Sequence, residues 1–185
     1  MTYWNYLGWS GPFSSEAYTE RQSAYGLRFH LDGVCTHRRR VINGEEQIAG
    51  RDSSGFLHAI QKEQQQPHVK IHIASVSLSR STLSVNFSVS GNIPGHEAEV
   101  YAILAEDAVS SNVLRGENSG RMLSHVSVAK TITRVASIQT ATERAIHLPL
   151  SASLQLANHD GRHLILFAQA PGFGRVLGVD TPPLQ

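Results

Sequence analysis

The chain has 185 residues, of which 41% are hydrophobic and 17% charged, and this composition excludes an intrinsically disordered protein. Its 16 basic and 15 acidic residues give a net charge of +1, which gives no support to a nucleic-acid-binding or polybasic membrane protein. The single cysteine, Cys35, excludes an internal disulfide and a Cys-x-x-Cys pair within this sequence. No apolar run approaches the roughly 20 residues of a membrane span, and the first nine residues lack the pattern of a signal peptide.

The aromatic residues divide the chain into two unlike parts. Nine of the 13 aromatic side chains lie in residues 1–66, and four lie in residues 67–185. The change falls at Gln64-Gln65-Gln66-Pro67, a polar run ending in a proline that cannot continue a helix. We therefore predict two domains, residues 1–66 and residues 67–185.

The first part begins with a predicted amphipathic helix and is expected to be mixed α/β. Ser14 or Ser15 is a suitable N-cap, because a serine hydroxyl accepts a hydrogen bond from a free N–H of the first turn. The helix is expected to run to about Tyr25, with Gly26 at the position that favours a C-terminal glycine.

A hairpin and a second helix are predicted to follow. Asn43-Gly44 is the strongest signal for a type I′ turn, and it separates short apolar runs at 41–42 and 47–49. Asp52 or Ser53 then caps a helix with an apolar face.

The second part is predicted to be all β. Residues 83–89 alternate apolar and polar side chains, as in a half-buried strand, and the preceding strand changes phase at Ala74-Ser75, which indicates a bulge. Residues 100–105 and 164–168 are apolar on both faces and are expected to be central strands, while 122–138 forms one long strand. About seven strands at this spacing are typical of an immunoglobulin-like β-sandwich.

The loop Gly116-Glu-Asn-Ser-Gly-Arg121 is the most distinctive candidate binding site. Its two glycines permit positive φ or a close backbone approach. Glu117, Asn118, Arg121 and the nearby His125 offer acceptors and donors for a ligand or partner. The alternative is a structural turn that Glu117 and Arg121 tie to the sandwich.

Ten histidines raise the question of a metal site, but their spacing does not predict one. His68 and His72 lie four apart on a predicted strand, and His159 and His163 flank a turn with Asp160. No third or fourth ligand stands at a standard spacing. We therefore predict no metal and no cofactor.

Three further features have both a functional and a structural explanation. Arg38-Arg39-Arg40 could bind an anion or form a solvated surface. Cys35 could act as a nucleophile or pack as an unreactive side chain. No motif of a serine hydrolase, P-loop or zinc protease is present, so we predict no catalytic residues. An aromatic cluster suits a binding platform or packing around a turn: Tyr3, Trp4, Tyr6 and Trp9.

Several of these blocks together resemble the bacterial domain-of-unknown-function family 1223. The likeness covers most of the chain in order. The first matching block, Tyr3–Trp9, is fairly specific to the family. The last matching block, Gly116–Arg121, supports the resemblance because it lies in the other predicted domain. The matching residues are Tyr3-Trp-Asn-Tyr-Leu-Gly-Trp9, Pro12-Phe-Ser, Arg21-Gln, Ala24-Tyr25, Val41-Ile-Asn-Gly44 with Gly50, and Gly116–Arg121 with Leu123 and His125.

The resemblance implies an exported protein with a thioredoxin-like N-terminal domain and a β-rich C-terminal domain. Family members begin further upstream, with a signal peptide and a Cys-x-x-Cys motif, so this sequence is expected to be N-terminally truncated. A Thr-Pro step of the family is replaced here by Thr36-His37. The expected fold is α+β: a truncated thioredoxin-like α/β segment followed by an antiparallel β-sandwich. The expected location is periplasmic or secreted, or cytoplasmic if Met1 is the true start.

The function expected from these observations is that of a non-catalytic binding or scaffold protein. The partner is an unidentified protein or small ligand, with no nucleic acid and no membrane span. An exposed half-domain also favours self-association. The alternative is a thiol-disulfide oxidoreductase whose Cys-x-x-Cys segment is missing from this sequence.

Overall fold

The computed structural model describes residues 13–31, 39–79, 81–113, 119–150 and 161–182. Strands hold 54% of these residues and helices 19%, and the strands form three antiparallel sheets of two, three and four strands. Neither helix in the described part of the chain has the length and apolar character needed to cross a membrane.

The chain divides into two compact units, each assembled from separate stretches of sequence. The first unit contains Met1–Gln66, Ala108–Val128 and Gly172–Arg175. The remaining residues, from Pro67 onward, form the second. The domain bounds 1–66 and 67–185 and the immunoglobulin-like arrangement stay predictions.

Helix α1 spans Glu16–Arg28 and is capped as its sequence predicts. The Ser15 hydroxyl accepts a hydrogen bond from the Tyr18 N–H at 3.3 Å. The helix continues beyond the predicted end at Tyr25, so Gly26 lies inside it and is buried. The glycine therefore does not terminate the helix.

The predicted hairpin and second helix are confirmed. Strands β1 (Arg39–Ile42) and β2 (Glu46–Ala49) pair antiparallel. Between them, Asn43 and Gly44 have φ values of 45° and 75°, the left-handed conformation that an Asn-Gly turn supplies. Helix α2 spans Ser53–Gln64, and the Asp52 carboxylate caps it by accepting from the Gly55 N–H at 2.8 Å.

The expected α+β class with a truncated thioredoxin-like segment is wrong. The fold is mostly β, and the described part of residues 1–66 holds two helices and one antiparallel hairpin. An α/β segment joins parallel strands across a helix, but neither α1 nor α2 connects parallel strands among the described residues. The thioredoxin-like expectation came from the family resemblance, whereas the mixed α/β expectation came from the predicted helices and hairpin. The Asn43-Gly44 turn itself favours antiparallel pairing.

Seven strands form the remaining two sheets. The four-stranded sheet has the order β6-β5-β8-β9 and the three-stranded sheet the order β3-β4-β7. Residues 108–112 of β5 and 122–128 of β6 belong to the first unit. The strands are β3 (Lys70–Ser79), β4 (Thr82–Ser90), β5 (Ala98–Asn112), β6 (Met122–Ile138), β7 (Thr142–Pro149), β8 (Arg162–Gln169) and β9 (Val176–Asp180).

The two sheets of the second unit share one hydrophobic core. Phe87 and Val85 from β4 pack in the same cluster as Val100 from β5 and Leu164 and Leu166 from β8. All five side chains are fully buried. The alternation along β4 and the central positions of β5 and β8 confirm the predictions for these strands.

Strand β9 connects the two sheets at their edge. The Val69 N–H donates to the Leu177 carbonyl at 2.8 Å, and the Ile73 N–H donates to the Asp180 carboxylate at 2.7 Å. The predicted bulge in β3 is confirmed, because the register shifts between Ile73 and Ser75. The Asp180 side chain thus satisfies a backbone donor next to the bulge.

Candidate functional site

The predicted binding residues lie on the part of the β5–β6 hairpin that belongs to the first unit. We call residues 108–113 and 119–128 the hairpin arm. Two of the four predicted residues, Arg121 and His125, lie on it, while Glu117 and Asn118 lie outside the described residues.

Backbone hydrogen bonds close the end of the hairpin arm. The Val113 N–H donates to the Arg121 carbonyl at 2.9 Å, and the Gly120 N–H donates to the Val113 carbonyl at 2.8 Å. Gly120 has a φ of 81°, which explains the glycine at this position. The main chain of Arg121 is therefore fixed while its side chain is exposed.

His125 is held by contacts within the first unit. Its Nε2 lies 2.8 Å from the Ser111 hydroxyl of β5. The edge of its ring also packs on Phe13 at a centroid distance of 5.4 Å and an interplanar angle of 74°. The half-buried His125 therefore joins β6 to β5 and to the segment before α1.

Two exposed apolar side chains follow Arg121 along β6. Met122 and Val126 are 71% and 82% exposed, and Ser124 between them points to the same side of β6. The sequence pattern placed Val126 in one alternating series with Val128. Ser127, with a φ of 54°, breaks that series, so Val126 is exposed while Val128 is half-buried.

Met122 and Val126 form an exposed apolar surface on β6, and the exposed cation Arg121 is the residue just before this strand; we call these three residues the arm patch. Arginine and methionine are enriched in protein interfaces. Burial of the Met122 and Val126 side chains away from water lowers the free energy. The arm patch can therefore bury apolar area and bind a carboxylate at the same time. The sequence does contain a signal for this exposure. Met122 and Val126 alternate with the polar Ser124 on one face of the strand, while Leu123 lies on the other face.

The described residues contain no group of three or more His, Cys, Asp or Glu side chains that would hold a metal ion. His68 and His72 are both exposed on one side of the second unit. His163 binds a carboxylate instead, with its Nδ1 2.8 Å from Asp107 Oδ1. His159 lies outside the described residues.

The arginine triplet has only one side chain that the structure describes. The Arg40 guanidinium lies over the Phe56 ring at 4.8 Å from its centroid, which favours packing of the hairpin on α2. The other residues considered above, Arg38, Cys35 and the aromatic cluster of residues 3–9, lie outside the described residues.

The sequence did not predict two clusters that hold residues 172–175 on the helices of the first unit. Arg21 of α1 lies over the Tyr25 and Phe173 rings, at 5.4 Å and 5.1 Å from their centroids. Arg175 forms an ion pair of 2.5 Å with Glu63 of α2, which is 5% exposed. Both clusters explain the assembly of the first unit, and neither has the features of a ligand site.

Comparison with known proteins gives a family and a related fold. Residues 1–169 match the family described as Protein of unknown function (DUF1223). No curated protein matches the sequence. HBP35 of Porphyromonas gingivalis has a similar structure, with a TM-score of 0.53 at 10% identity over 89% of this chain and 57% of that one. This chain therefore spans little more than half of that structure, and at this identity the likeness concerns the fold alone.

A second solved structure is less similar. Spo0M, a sporulation control protein from Bacillus subtilis, aligns with a TM-score of 0.40 at 10% identity. The alignment covers 63% of this chain and 47% of that chain.

Proposed function

The chain belongs to the DUF1223 family of proteins of unknown function, and we propose that it is a non-catalytic binding module that docks a partner protein on the arm patch. The observation that carries the proposal is the exposure of Met122 and Val126 on the strand that follows the exposed Arg121. Aliphatic side chains of this size are unfavourable in water, and their burial in an interface lowers the free energy.

The fixed backbone of the hairpin arm supports the proposal. Val113 pairs with Gly120 and Arg121, and Ser111 binds His125, so the strand that carries the arm patch is already ordered before binding. Binding to an ordered surface avoids part of the entropic cost of association. The arm patch is thus suited to a partner that offers an apolar surface with a carboxylate at its rim.

The loop residues Glu117 and Asn118 belong to this proposal as polar groups that precede Arg121 in the sequence. Their carboxylate and amide would orient the partner, while Met122 and Val126 supply the buried area. The competing interpretation is that the loop is only a turn that closes the hairpin.

Photo-crosslinking tests the proposal in the cell. Met122 is replaced by p-benzoylphenylalanine, the cells are irradiated, and adducts are identified by mass spectrometry. The matched control carries the same substitution at Thr133, which is exposed on the same strand but lies in the second unit. A specific adduct at position 122, absent at 133, is expected. Equal adducts at both positions, or none at 122, would contradict the proposal.

Affinity measurements with the identified partner then separate recognition from folding. Arg121→Ala and Glu117→Ala are each expected to weaken binding about 10-fold, the effect of losing roughly 1.4 kcal/mol at an interface. Thermal unfolding of Arg121→Ala should match the wild type because its side chain is exposed. A variant that unfolds would favour the structural turn. An adduct of twice the chain mass would identify a second copy, the self-association expected above.

We also propose that the protein acts outside the cytoplasm. The proposal rests on the resemblance of the Tyr3–Trp9 and Gly116–Arg121 blocks to an exported family. Expression from the native gene followed by cell fractionation tests it. Recovery of the chain only with cytoplasmic markers would refute it.

A further inference from the structure

The outer face of the three-stranded sheet in the second unit carries four rows of side chains. Each row crosses β3, β4 and β7 through directly paired residues. The alternate residues of β4 face the core, so these rows face solvent. From one end of the sheet to the other, the rows are His72–Ser88–Glu143, Ser75–Asn86–Ala145, Ser77–Ser84–His147 and Ser79–Thr82–Pro149.

The size differences among these side chains create a groove. Ser88 lies between the longer His72 and Glu143, and β7 contributes only a methyl group, Ala145, to the second row. Arg144 follows at the edge of the sheet. The groove has a volume of about 510 Å³, within the range of small-molecule sites.

The polar groups of the groove have unused hydrogen-bonding capacity. In the third row, Ser84 and His147 bind each other at 2.9 Å. In the second row, Asn86 Nδ2 donates to the Ser75 hydroxyl at 2.8 Å, which orients the amide and leaves its Oδ1 as an acceptor. By contrast, the Glu143 carboxylate forms no ion pair with the described residues.

The charges of the groove select against a charged ligand. Glu143 and Arg144 line the same groove with opposite signs, so the formal charge of the pair is zero. An anion attracted by Arg144 meets the Glu143 carboxylate, and a cation attracted by Glu143 meets the guanidinium. A neutral polar ligand meets neither repulsion.

We propose that this groove binds a neutral, hydroxyl-rich ligand, a short oligosaccharide. A sugar hydroxyl both donates and accepts, so it can pair with the carboxylate of Glu143, the amide oxygen of Asn86 and the guanidinium of Arg144 alike. The hydroxyl of Ser88 and the imidazole of His72 extend the same mixed surface. This site is independent of the arm patch, which belongs to the first unit.

Titrations followed by ¹H–¹⁵N NMR test this proposal with three neutral disaccharides: cellobiose, maltose and N,N′-diacetylchitobiose. At least one is expected to bind saturably at millimolar concentration, with shifts centred on β3, β4 and β7. Glucuronic acid, glucosamine and glycine serve as anionic, cationic and zwitterionic comparisons. Absence of saturable binding by all three disaccharides, or tighter binding of a charged or zwitterionic compound, would overturn the proposal.

Three variants locate the site. Glu143→Ala is expected to weaken disaccharide binding about 10-fold, or about 1.4 kcal/mol, because it removes a hydrogen bond to a charged group. Ala145→Phe should abolish binding because its ring fills the middle of the groove. Ser84→Ala is the matched control on the same face outside the groove and should bind like the wild type. Unchanged binding in Ala145→Phe would show that the ligand lies elsewhere.

Discussion

The buried ion pair between Glu63 and Arg175 gives the sharpest test of how the first unit is held together. Its partners are 112 residues apart in sequence, and it attaches residues 172–175 to α2. Arg175→Met keeps the length and packing of the side chain but removes its charge. The Glu63 carboxylate then remains buried, with the Asn43 amide at 3.3 Å as a weak remaining donor.

The expected magnitude follows from burial. Removing one partner of a buried pair costs about 3–5 kcal/mol, because the other charge is left without compensation. The Arg175 side chain is 23% exposed against 6% for that of Glu63, so water reaches the pair from one side. We therefore expect Arg175→Met to lower the free energy of unfolding by about 3 kcal/mol, the lower end of that range.

A double-mutant cycle isolates the pair. In a Glu63→Gln background the buried group is neutral, so Arg175→Met should cost only about 1 kcal/mol, as for an ordinary hydrogen bond. The expected coupling is the difference, about 2 kcal/mol. Urea unfolding followed by far-UV circular dichroism measures it, since α1 and α2 both belong to the first unit. Equal costs of Arg175→Met in the two backgrounds would refute the reasoning.

Three further predictions concern backbone positions and one helix cap. Gly178→Ala should destabilise the second unit by about 2 kcal/mol, because its Cβ would lie 2.1 Å from the Val69 carbonyl oxygen; urea unfolding followed by circular dichroism measures this. Gly26→Ala should stabilise the first unit by up to about 1 kcal/mol, because α1 has open space there; a lower urea midpoint would contradict this. Hydrogen bonds from the Gly55 N–H and a neighbouring hydroxyl lower the pKa of Asp52, so its stabilisation is present above the ordinary carboxyl pKa of 3.8 and is lost as the pH falls. The urea midpoints of Asp52→Ala and wild type should therefore differ at neutral pH and converge in acid, and a constant difference would count against this linkage.

Local sequence signals predicted the elements of this protein well. The Ser15 cap, the Asn43-Gly44 turn and the alternation along β4 are each decided by contacts within a few residues. The same holds for the change of phase in β3, where the bulge lies between Ile73 and Ser75. The predicted end of α1 at Tyr25 was wrong, because the helix continues through Gly26 to Arg28.

The candidate sites were less predictable. The sequence pointed to the loop before β6, and Arg121 is exposed as a binding residue would be, but His125 is engaged by Ser111 and Phe13. The change from the exposed Val126 to the half-buried Val128 depends on the left-handed Ser127, which no residue type at that position signals. Side-chain direction there is decided by the backbone conformation.

The sequence by itself determined the strands, the turns, the helix caps and the family of this protein, because hydrophobic period and cap chemistry act locally. Only the tertiary structure decided that residues 108–128 and 172–175 join the first unit. It also replaced the expected α+β fold with a mostly β fold of three antiparallel sheets. The Glu63–Arg175 pair and the groove beside Glu143 bring together residues from distant segments. Such contacts depend on which surfaces must be buried together, and the periodicity of a single segment does not encode its partner.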